Sequence, residues 1–392
     1  MRSRILFAVL LSVIVFSAPL AWAQKGTIKV AVQAPLSGEQ AALGEHIKLG
    51  AQLAVEDAAK SFKKLGFDLV LVPYDDQAKP EVGVANARNV VADPDILLLV
   101  GHFNSGVALP ASEVYKDAML AMISPANTAT EITDRGYPNV NRVCGRDDVQ
   151  GPVGARFAAQ DLKLKSVYII HDKTLYGQGV ADNFRNEASK LGLKVLGYDG
   201  TEERANFAPL IIPMKARNPG LVYFGGIYHQ GGLLLKQMRE KGVTAPFMGP
   251  DGLDSSEMVK IAGAQVVGSY YTTVAGPPDA YPETAAFTKK FKQRFGKEVE
   301  SFTMYGYDAA LFGIKAIEQT IQTNGGKKPS RAEVAAAIRK LKNFKGVTGS
   351  IAFDNKGDPV KAKYFVLQFD KRSYPGRVVK VIEQEAPQAK KS

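Results

Sequence analysis

The sequence has 392 residues, 45% of them hydrophobic, and a formal net charge of +11 at pH 7. This length suffices for two domains at about 150 residues each, with a sizeable apolar core. The single cysteine, Cys144, excludes an intramolecular disulfide and is expected to be a small buried side chain.

The amino terminus predicts export from the cytoplasm. Two arginines precede an apolar run over residues 5–18, which ends in small residues. This order is typical of a secretory signal peptide, residues 1–23, cleaved after Ala23. A transmembrane anchor is the alternative, but a span needs about 20 apolar residues and this run is shorter. Gln24 follows instead of a lipid-bearing cysteine, so we expect a soluble periplasmic protein.

Apolar runs of strand length alternate with amphipathic helical stretches along the chain. Strands are predicted at residues 28–32, 69–72, 96–100, 120–123, 167–170, 195–198, 221–224, 247–249, 364–369 and 378–381. Helices are predicted over residues 47–62, 180–191, 282–295, 302–322 and 331–341. Near-continuous apolar strands separated by helices form parallel sheets covered on both faces, so the pattern predicts an α/β fold.

The strand series restarts near the middle of the chain, which predicts two similar lobes joined by a hinge with several crossings. The first lobe is expected to contain residues 24–145 and 274–352. The second is expected to contain residues 146–273 and 353–384, with residues 385–392 as a disordered tail. A cleft between the lobes follows from this arrangement.

Motifs of catalysis, metal binding and cofactor binding are absent from the sequence. The four histidines are widely spread, and there is no HExxH, GxSxG or GxxxxGK[ST] pattern. Gly177 and Gly179 stand where a dinucleotide loop would, but the third glycine position holds Asp182, so a tight strand-to-helix turn is the better interpretation. We therefore expect no metal, no cofactor and no enzyme. The basic residues are spread along amphipathic segments, which predicts a solvated surface and no nucleic-acid partner.

Polar residues follow several predicted strands at their carboxyl ends, where open α/β sheets bind ligands. Ser105 and Thr128 each stand at a helix start, where free N–H groups and the helix dipole suit a carboxylate. Helix capping is the alternative role for both. On the other side of the predicted cleft stand Tyr176, Tyr228 and Asp251. Asp251 could pair with an ammonium group, but Pro-Asp-Gly is also a common turn sequence.

An ordered set of short motifs along nearly the whole mature chain resembles the periplasmic leucine/isoleucine/valine-binding protein family of branched-chain amino-acid ABC transporters. In family order these are Ile28-Lys29-Val30-Ala31-Val32, Tyr74-Asp75-Asp76, Gly101-His102, Ser124-Pro125-Ala126, Thr128, Asp147-Asp148-Val149-Gln150-Gly151-Pro152, His171-Asp172-Lys173, Tyr176-Gly177 and Phe247-Met248-Gly249-Pro250. The resemblance implies the two-lobed type I periplasmic binding protein fold.

The resemblance also implies roles for individual residues. In that family the serine matching Ser105 and backbone N–H groups matching Ala126 and Thr128 bind the ligand's α-carboxylate. The carbonyl matching Ala126, the hydroxyl matching Thr128 and an acid matching Asp251 bind its α-ammonium. The tyrosine matching Tyr176 covers the ligand from the second lobe.

Two features separate this chain from the family pattern. The acid at position 251 is commonly glutamate, and the aspartate here is one methylene shorter. A pocket tyrosine of branched-chain binders corresponds to Leu43, which leaves more room or a more apolar wall. Phe103 and Tyr228, in the loops after the third and seventh strands, complete the predicted ligand-binding set.

These observations predict a monomeric solute-binding protein that captures a branched-chain or other apolar amino acid and delivers it to an ABC transporter permease. Relatives of the family also bind amides, urea or aromatic acids, and a ligand of that kind would leave Asp251 as a turn residue. A soluble sensor that reports ligand occupancy to a signalling partner is the alternative from a different class.

Overall fold

The computed structural model describes residues 25–385; the predicted signal peptide, 1–23, and residues 386–392 of the predicted tail lie outside them. The first sheet has five parallel strands in the order β2-β1-β3-β4-β5. They are β1 (Gly26–Ala34), β2 (Phe67–Asp75), β3 (Ile96–Gly101), β4 (Ala121–Ser124) and β5 (Val140–Arg142). All residues of β3 are buried, because helices cover both faces of the sheet.

The second sheet has seven strands in the order β14-β13-β10-β9-β8-β6-β7. Its parallel strands are β6 (Ser166–His171), β7 (Lys194–Gly200), β8 (Val222–Gly225), β9 (Phe247–Gly249) and β10 (Tyr270–Thr273). A two-stranded hairpin, β11 (Phe344–Gly346) and β12 (Gly349–Ile351), stands apart from both sheets. The chain then adds β13 (Lys361–Gln368) and β14 (Arg377–Glu385) to the second sheet.

These last two strands depart from the predicted parallel arrangement, because β13 runs antiparallel to β10 and β14 antiparallel to β13. The connection over residues 369–376 is too short for the crossover that a parallel pair requires, so the two strands form an antiparallel pair. Glu385 pairs with Lys361 as the last residue of β14, so residue 385 belongs to this strand and not to the tail predicted at 385–392.

Twelve α-helices flank the sheets within the described residues. In chain order they are α1 (Ala41–Leu65), α2 (Pro80–Ala92), α3 (Ser105–Asp117), α4 (Glu131–Asp134), α5 (Asp147–Arg156), α6 (Leu175–Lys190), α7 (Ala208–Arg217), α8 (Tyr228–Glu240), α9 (Ser256–Ala262), α10 (Thr284–Phe295), α11 (Ser301–Thr323) and α12 (Arg331–Lys340). Helix α1 buries its apolar positions at spacings of three and four and ends at Gly66, whose φ of 92° suits glycine. Between residues 25 and 385 no helix is both long and apolar enough to cross a membrane.

The predicted elements coincide with the observed ones, with boundary differences of a few residues. Helices α10, α11 and α12 follow the second sheet in sequence, and α11 and α12 pack on strands of the first sheet. Strands β13 and β14 then return to the second sheet. The bounds of the lobes, residues 24–145 plus 274–352 and 146–273 plus 353–384, remain a prediction.

By the predicted bounds, the chain crosses between the lobes three times, near residues 145–146, 273–274 and 352–353. A buried charge cluster joins the first and third of these crossings. Asp358, which is 1% exposed, accepts from Arg142 Nε at 2.6 Å and from Arg146 Nη1 at 2.7 Å. Burial raises the pKa of Asp358, but the charges of both arginines outweigh that effect and hold its pKa below the ordinary value. The carboxylate therefore remains ionised between two guanidinium groups.

Close backbone packing surrounds this cluster. The Arg146 N–H donates to Tyr364 Oη at 2.9 Å, and a Cβ at Gly145 would lie 2.5 Å from the Tyr364 ring, so only glycine fits there. Cys144 is fully buried next to them, and its thiol donates weakly to the Asn127 carbonyl at 3.5 Å. The first crossing is thus fixed against β13 of the second lobe.

Removing the shared carboxylate should strongly destabilise the protein, because Asp358→Ala leaves the buried Arg142 without its acid and removes one of three acid partners of Arg146. We expect the free energy of unfolding to fall by about 3–5 kcal/mol. Asp370→Ala, which breaks an exposed pair with Arg377, is the matched control and should cost about 1 kcal/mol or less. Urea unfolding of residues 24–392 followed by circular dichroism measures both; equal effects of the two substitutions would contradict the role of the cluster.

Candidate functional site

A cavity of about 310 Å³ lies between the two lobes, at the carboxyl ends of their parallel strands. This volume is near the lower end of small-molecule sites, which span about 300–1,000 Å³. Its lining comes from both lobes: Ser37, Glu39, Gln40, Gln77, Ala78, Lys79, Pro80, Asn104, Ser105, Gly106 and Val107 from the first, and Thr174, Leu175, Tyr176 and Arg204 from the second. The cavity is therefore built from strand-to-helix loops, as expected for this fold class.

The first turn of α3 faces this cavity through Ser105, Gly106 and Val107. The first N–H groups of a helix have no carbonyl partner within it, and the helix dipole is positive there. The Ser105 hydroxyl is 1% exposed and only accepts a weak hydrogen bond, from the Ala129 N–H at 3.4 Å, so its proton can be donated to a ligand. This corner of the cavity suits an anionic group.

The loop that carries Ala126 and Thr128 is held by a dense set of hydrogen bonds. The Ser124 hydroxyl accepts from the N–H groups of Asn127 and Ala126, at 2.8 and 3.2 Å. The Arg142 guanidinium donates to the carbonyls of Asn127 and Ala129, both at 2.8 Å. The Ala126 N–H assigned to a ligand carboxylate thus has an internal partner here, whereas the buried Thr128 hydroxyl has none.

From the second lobe, Tyr176 connects the cavity to a buried acid. Its hydroxyl donates to Asp251 Oδ1 at 2.7 Å and accepts from the Gly252 N–H at 2.7 Å. Asp251 is 3% exposed, and burial raises its pKa to about 6, although contacts with Tyr176 and Gln150 lower it. Burial and the charge of Asp251 raise the pKa of Tyr176, which keeps the phenol neutral and able to donate.

The predicted site residues are distributed unevenly around the cavity. Of the eight, Ser105 and Tyr176 line it, and Asp251 is joined to it through the Tyr176 hydroxyl. Leu43 is fully buried in the first turn of α1, and Phe103 packs edge-on against another aromatic ring; neither lines the cavity. The ligand roles assigned to these residues, and to the loop residues at 126 and 128, remain predictions.

Tyr228, in the second lobe, forms a hydrogen bond to the first lobe. Its hydroxyl donates to the Glu39 carbonyl at 2.6 Å, and the Glu39 carboxylate accepts from Arg204 at 2.6 Å. His229 lies 3.5 Å from the same carboxylate, and burial lowers its pKa to about 4, so it is neutral at pH 7. Sequence reasoning placed His229 beside Tyr228 at the cleft but missed Glu39 and Arg204, because nothing in a polar turn or a charged loop indicates that the two meet across a cleft.

Side chains that could ligate a metal ion are dispersed in the described part of the chain. Among residues 25–385, no group of three or more His, Cys, Asp or Glu side chains is placed to hold a metal ion. The histidines bond instead to structural partners: His102 contacts Asp76 at 3.2 Å, and His46 contacts Thr303 at 2.9 Å. The arrangement at the cleft is one of donors, acceptors and apolar wall, which suits binding.

The hydrogen bond between Tyr228 and Glu39 should stabilise the arrangement with the lobes together. Tyr228→Phe removes one neutral hydrogen bond, worth about 0.5–1.5 kcal/mol, so the ratio of closed to open protein should fall about 2- to 10-fold. Small-angle X-ray scattering of the ligand-free protein measures this as a larger radius of gyration. Tyr137→Phe, whose hydroxyl contacts Glu113 within the first lobe, is the control, and an equal change in both variants would contradict the assignment.

Comparison with known proteins places nearly the whole described chain in one family. The profile of the family described as periplasmic binding protein matches residues 27–373. The Leu/Ile/Val-binding protein homolog 2 of Brucella abortus is 38% identical over 346 residues, covering 88% of this chain and 91% of its own. The leucine-, isoleucine-, valine-, threonine-, and alanine-binding protein of Pseudomonas aeruginosa is 35% identical over 349 residues, covering 88% and 90%.

A solved structure shows the same architecture. The crystal structure of a leucine binding protein from Thermotoga maritima superposes with a TM-score of 0.82 at 28% identity, covering 91% of this chain and 98% of that one. The two-lobed fold, the interlobe cavity and the family match over residues 27–373 agree, and the chain belongs to the periplasmic binding protein family.

Proposed function

We propose that this chain is an exported solute-binding protein that captures a branched-chain or other small apolar L-amino acid and delivers it to an ABC transporter permease. The observation that carries this proposal is the pairing of opposite chemistry around one cleft. The first turn of α3 offers N–H groups and the Ser105 hydroxyl to a carboxylate. Asp251, buried behind Tyr176, offers a negative charge to an ammonium group.

The wall between these two ends suits an aliphatic side chain. Ala78, Pro80, Val107 and Leu175 contribute apolar side chains to the cavity lining. An apolar side chain of the ligand would be buried against them, which is favourable by about 25 cal/mol per Å² of apolar surface. The names of the curated relatives, which include leucine, isoleucine and valine, support the same ligand class.

Delivery follows from closure of the lobes. In the ligand-free open form, the first lobe would bind the zwitterion, and the second lobe would then exclude water and strengthen the charge contacts. The predicted signal peptide at residues 1–23 supports a periplasmic location, and the protein is proposed to act as a monomer without catalysis. Closure fixes the position of the two lobe tips relative to each other. The closed form is therefore the state expected to dock on the permease.

One competing ligand class is supported by a specific contact. The Tyr176 hydroxyl already donates a hydrogen bond to the Asp251 carboxylate. An uncharged amide or an aromatic acid could therefore fill the cavity without any contact to that carboxylate. Isothermal titration calorimetry of residues 24–392, refolded from denaturant to remove carried-over ligand, separates the classes. Calorimetry is suitable because the only tryptophan, Trp22, lies in the predicted signal peptide.

In that experiment L-leucine, L-isoleucine and L-valine should bind, and leucinamide, which lacks the carboxylate, should bind far more weakly. Asp251→Asn should weaken leucine by about 10- to 100-fold, since a charged hydrogen bond contributes about 1.5–3 kcal/mol, and should leave 4-methylpentanoate, the deaminated analogue, unchanged. Asp279→Asn, outside the cavity lining, is the control. Binding of benzoate, urea or an amide with no response to any amino acid would contradict the amino-acid assignment.

The affinity for leucine should depend on pH through Asp251. Its pKa of about 6 in the free protein means that the carboxyl group gains a proton as the pH falls through that value. Because an ammonium ligand stabilises the ionised carboxylate, affinity should be lower at pH 5 than at pH 7.5. Calorimetry at the two pH values measures the difference; equal affinities would exclude ionised Asp251 from the ammonium contact.

A further inference from the structure

A set of buried polar atoms without hydrogen-bond partners surrounds Asp251, which is joined to the cavity through the Tyr176 hydroxyl. They are Thr128 Oγ1, Asp147 Oδ1 and Oδ2, Gln150 Oε1, Tyr223 Oη and Thr272 Oγ1. All five residues are at most 1% exposed. Burying polar groups without partners is unfavourable and uncommon in folded proteins, so a cluster of six such atoms indicates a missing partner.

Backbone and side-chain contacts show that these groups adjoin one another. The Asp147 N–H donates to the Thr128 carbonyl at 2.9 Å. Gln150 lies one helical turn after Asp147 on α5 and donates to the Thr272 carbonyl at 3.3 Å, so both side chains lie on one face of that helix. Asp147 therefore stands between the ligand loop of the first lobe and the sheet of the second.

Three of the six unpartnered atoms are hydroxyl oxygens, which can donate or accept, and the other three belong to Asp147 and Gln150 and need donors. Both oxygens of Asp147 and the side-chain carbonyl of Gln150 can only accept when the acid is ionised, and each carboxylate oxygen can accept about two hydrogen bonds. The nearest cation, Arg142, is already bound to Asp358, Thr133 and the carbonyls of the ligand loop. A group with several N–H donors and a positive charge is what this site is missing.

We propose that Asp147 is a second acceptor for the ligand's ammonium group, opposite Asp251, so that the amino group is bound between two carboxylates. This inference rests on the proposed function and adds a specificity-determining residue to it. The three N–H bonds of an ammonium group suffice for one contact to each acid and one to the Thr128 hydroxyl. The shorter side chain at position 251 is then compensated by a carboxylate from the other side of the site.

The electrostatics of the free protein agree with such a site. Burial raises the pKa of Asp147 well above its ordinary value, and the charge of Asp251 raises it further; Thr128 and Arg142 lower it to a smaller extent. Asp148, on the same helix, also raises it, and Tyr176 and Tyr223 face the pair as neutral phenols. The raised pKa values favour protonation of both acids at a pH above that of free aspartate, so binding of an ammonium group between them is expected to release protons into solvent.

The test compares Asp147→Asn with Asp148→Asn, which removes the neighbouring acid bound to Arg146 at 2.9 Å. Calorimetry with L-leucine and with 4-methylpentanoate, in two buffers of different ionisation enthalpy, gives affinities and the number of protons released. We expect Asp147→Asn to weaken leucine at least tenfold, leave 4-methylpentanoate unchanged and release up to one proton fewer than wild type. Asp148→Asn should retain the wild-type affinities for both ligands.

Thermal unfolding of the ligand-free variants distinguishes a ligand-binding role of Asp147 from a structural one, because the two roles predict opposite changes in the melting temperature. The Asp147→Asn substitution removes a buried acid whose oxygens have no partner, so the melting temperature should rise by about 2–4 °C or stay the same. An acid that served only the start of α5 would lower it on replacement.

Three results would overturn the proposal. They are an unchanged leucine affinity and proton release in Asp147→Asn, an equal loss of leucine and 4-methylpentanoate, and a lower melting temperature with unchanged binding. Wild-type protein that binds leucine alongside any of these would retain the proposed function. Wild-type protein that binds no amino acid at all would overturn both.

Discussion

The buried carboxylate of Asp358 is the contact on which the rest of the structure depends. It lies on the third crossing between the lobes and neutralises Arg142 and Arg146, which end and follow the last strand of the first sheet. Without it, the buried Arg142 would lose its acid partner and Arg146 would keep only Asp134 and Asp148, and a buried guanidinium group without a counter-charge is costly to desolvate. With it, Arg142 can extend its remaining N–H groups to the loop that contains Thr128.

The hinge and the loop that contains Thr128 are therefore connected by hydrogen bonds. The Arg142 side chain links the acid of the third crossing to the carbonyls at Asn127 and Ala129. The Asn127 side chain in turn accepts from the His102 N–H at 3.0 Å and donates to the Phe103 carbonyl at 2.9 Å, which joins the loop to the start of α3. Rotation of the lobes is thus possible while the first-lobe half of the site keeps its shape.

The fold could be predicted from the sequence because its signals are local. Strand runs such as residues 96–100 are apolar throughout, and the apolar spacing in α1 is unambiguous, so each element and its class follow from neighbouring residues. The antiparallel addition of β13 and β14 was not predicted, since strand direction depends on connection length and sheet position. The candidate site was only partly predictable: Ser105 and Tyr176 line the cavity as the resemblance implied. What could not be predicted are pairs distant in sequence. In the sequence, Asp147 is like any acid at the start of a helix. Its buried surroundings include Tyr223 and Asp251, which lie on other elements far along the chain. Arg142 and Asp358, which are 216 residues apart, meet only in the assembled chain.

The single thiol has a consequence for how hinge motion can be followed. Cys144 is sealed between the Asn127 carbonyl and the packing around Gly145, and burial raises the pKa of its thiol, so it is both inaccessible and un-ionised in the folded hinge. A thiolate-selective reagent can modify it only during transient local opening of that crossing. Its alkylation rate therefore measures local opening of this crossing and requires no introduced label.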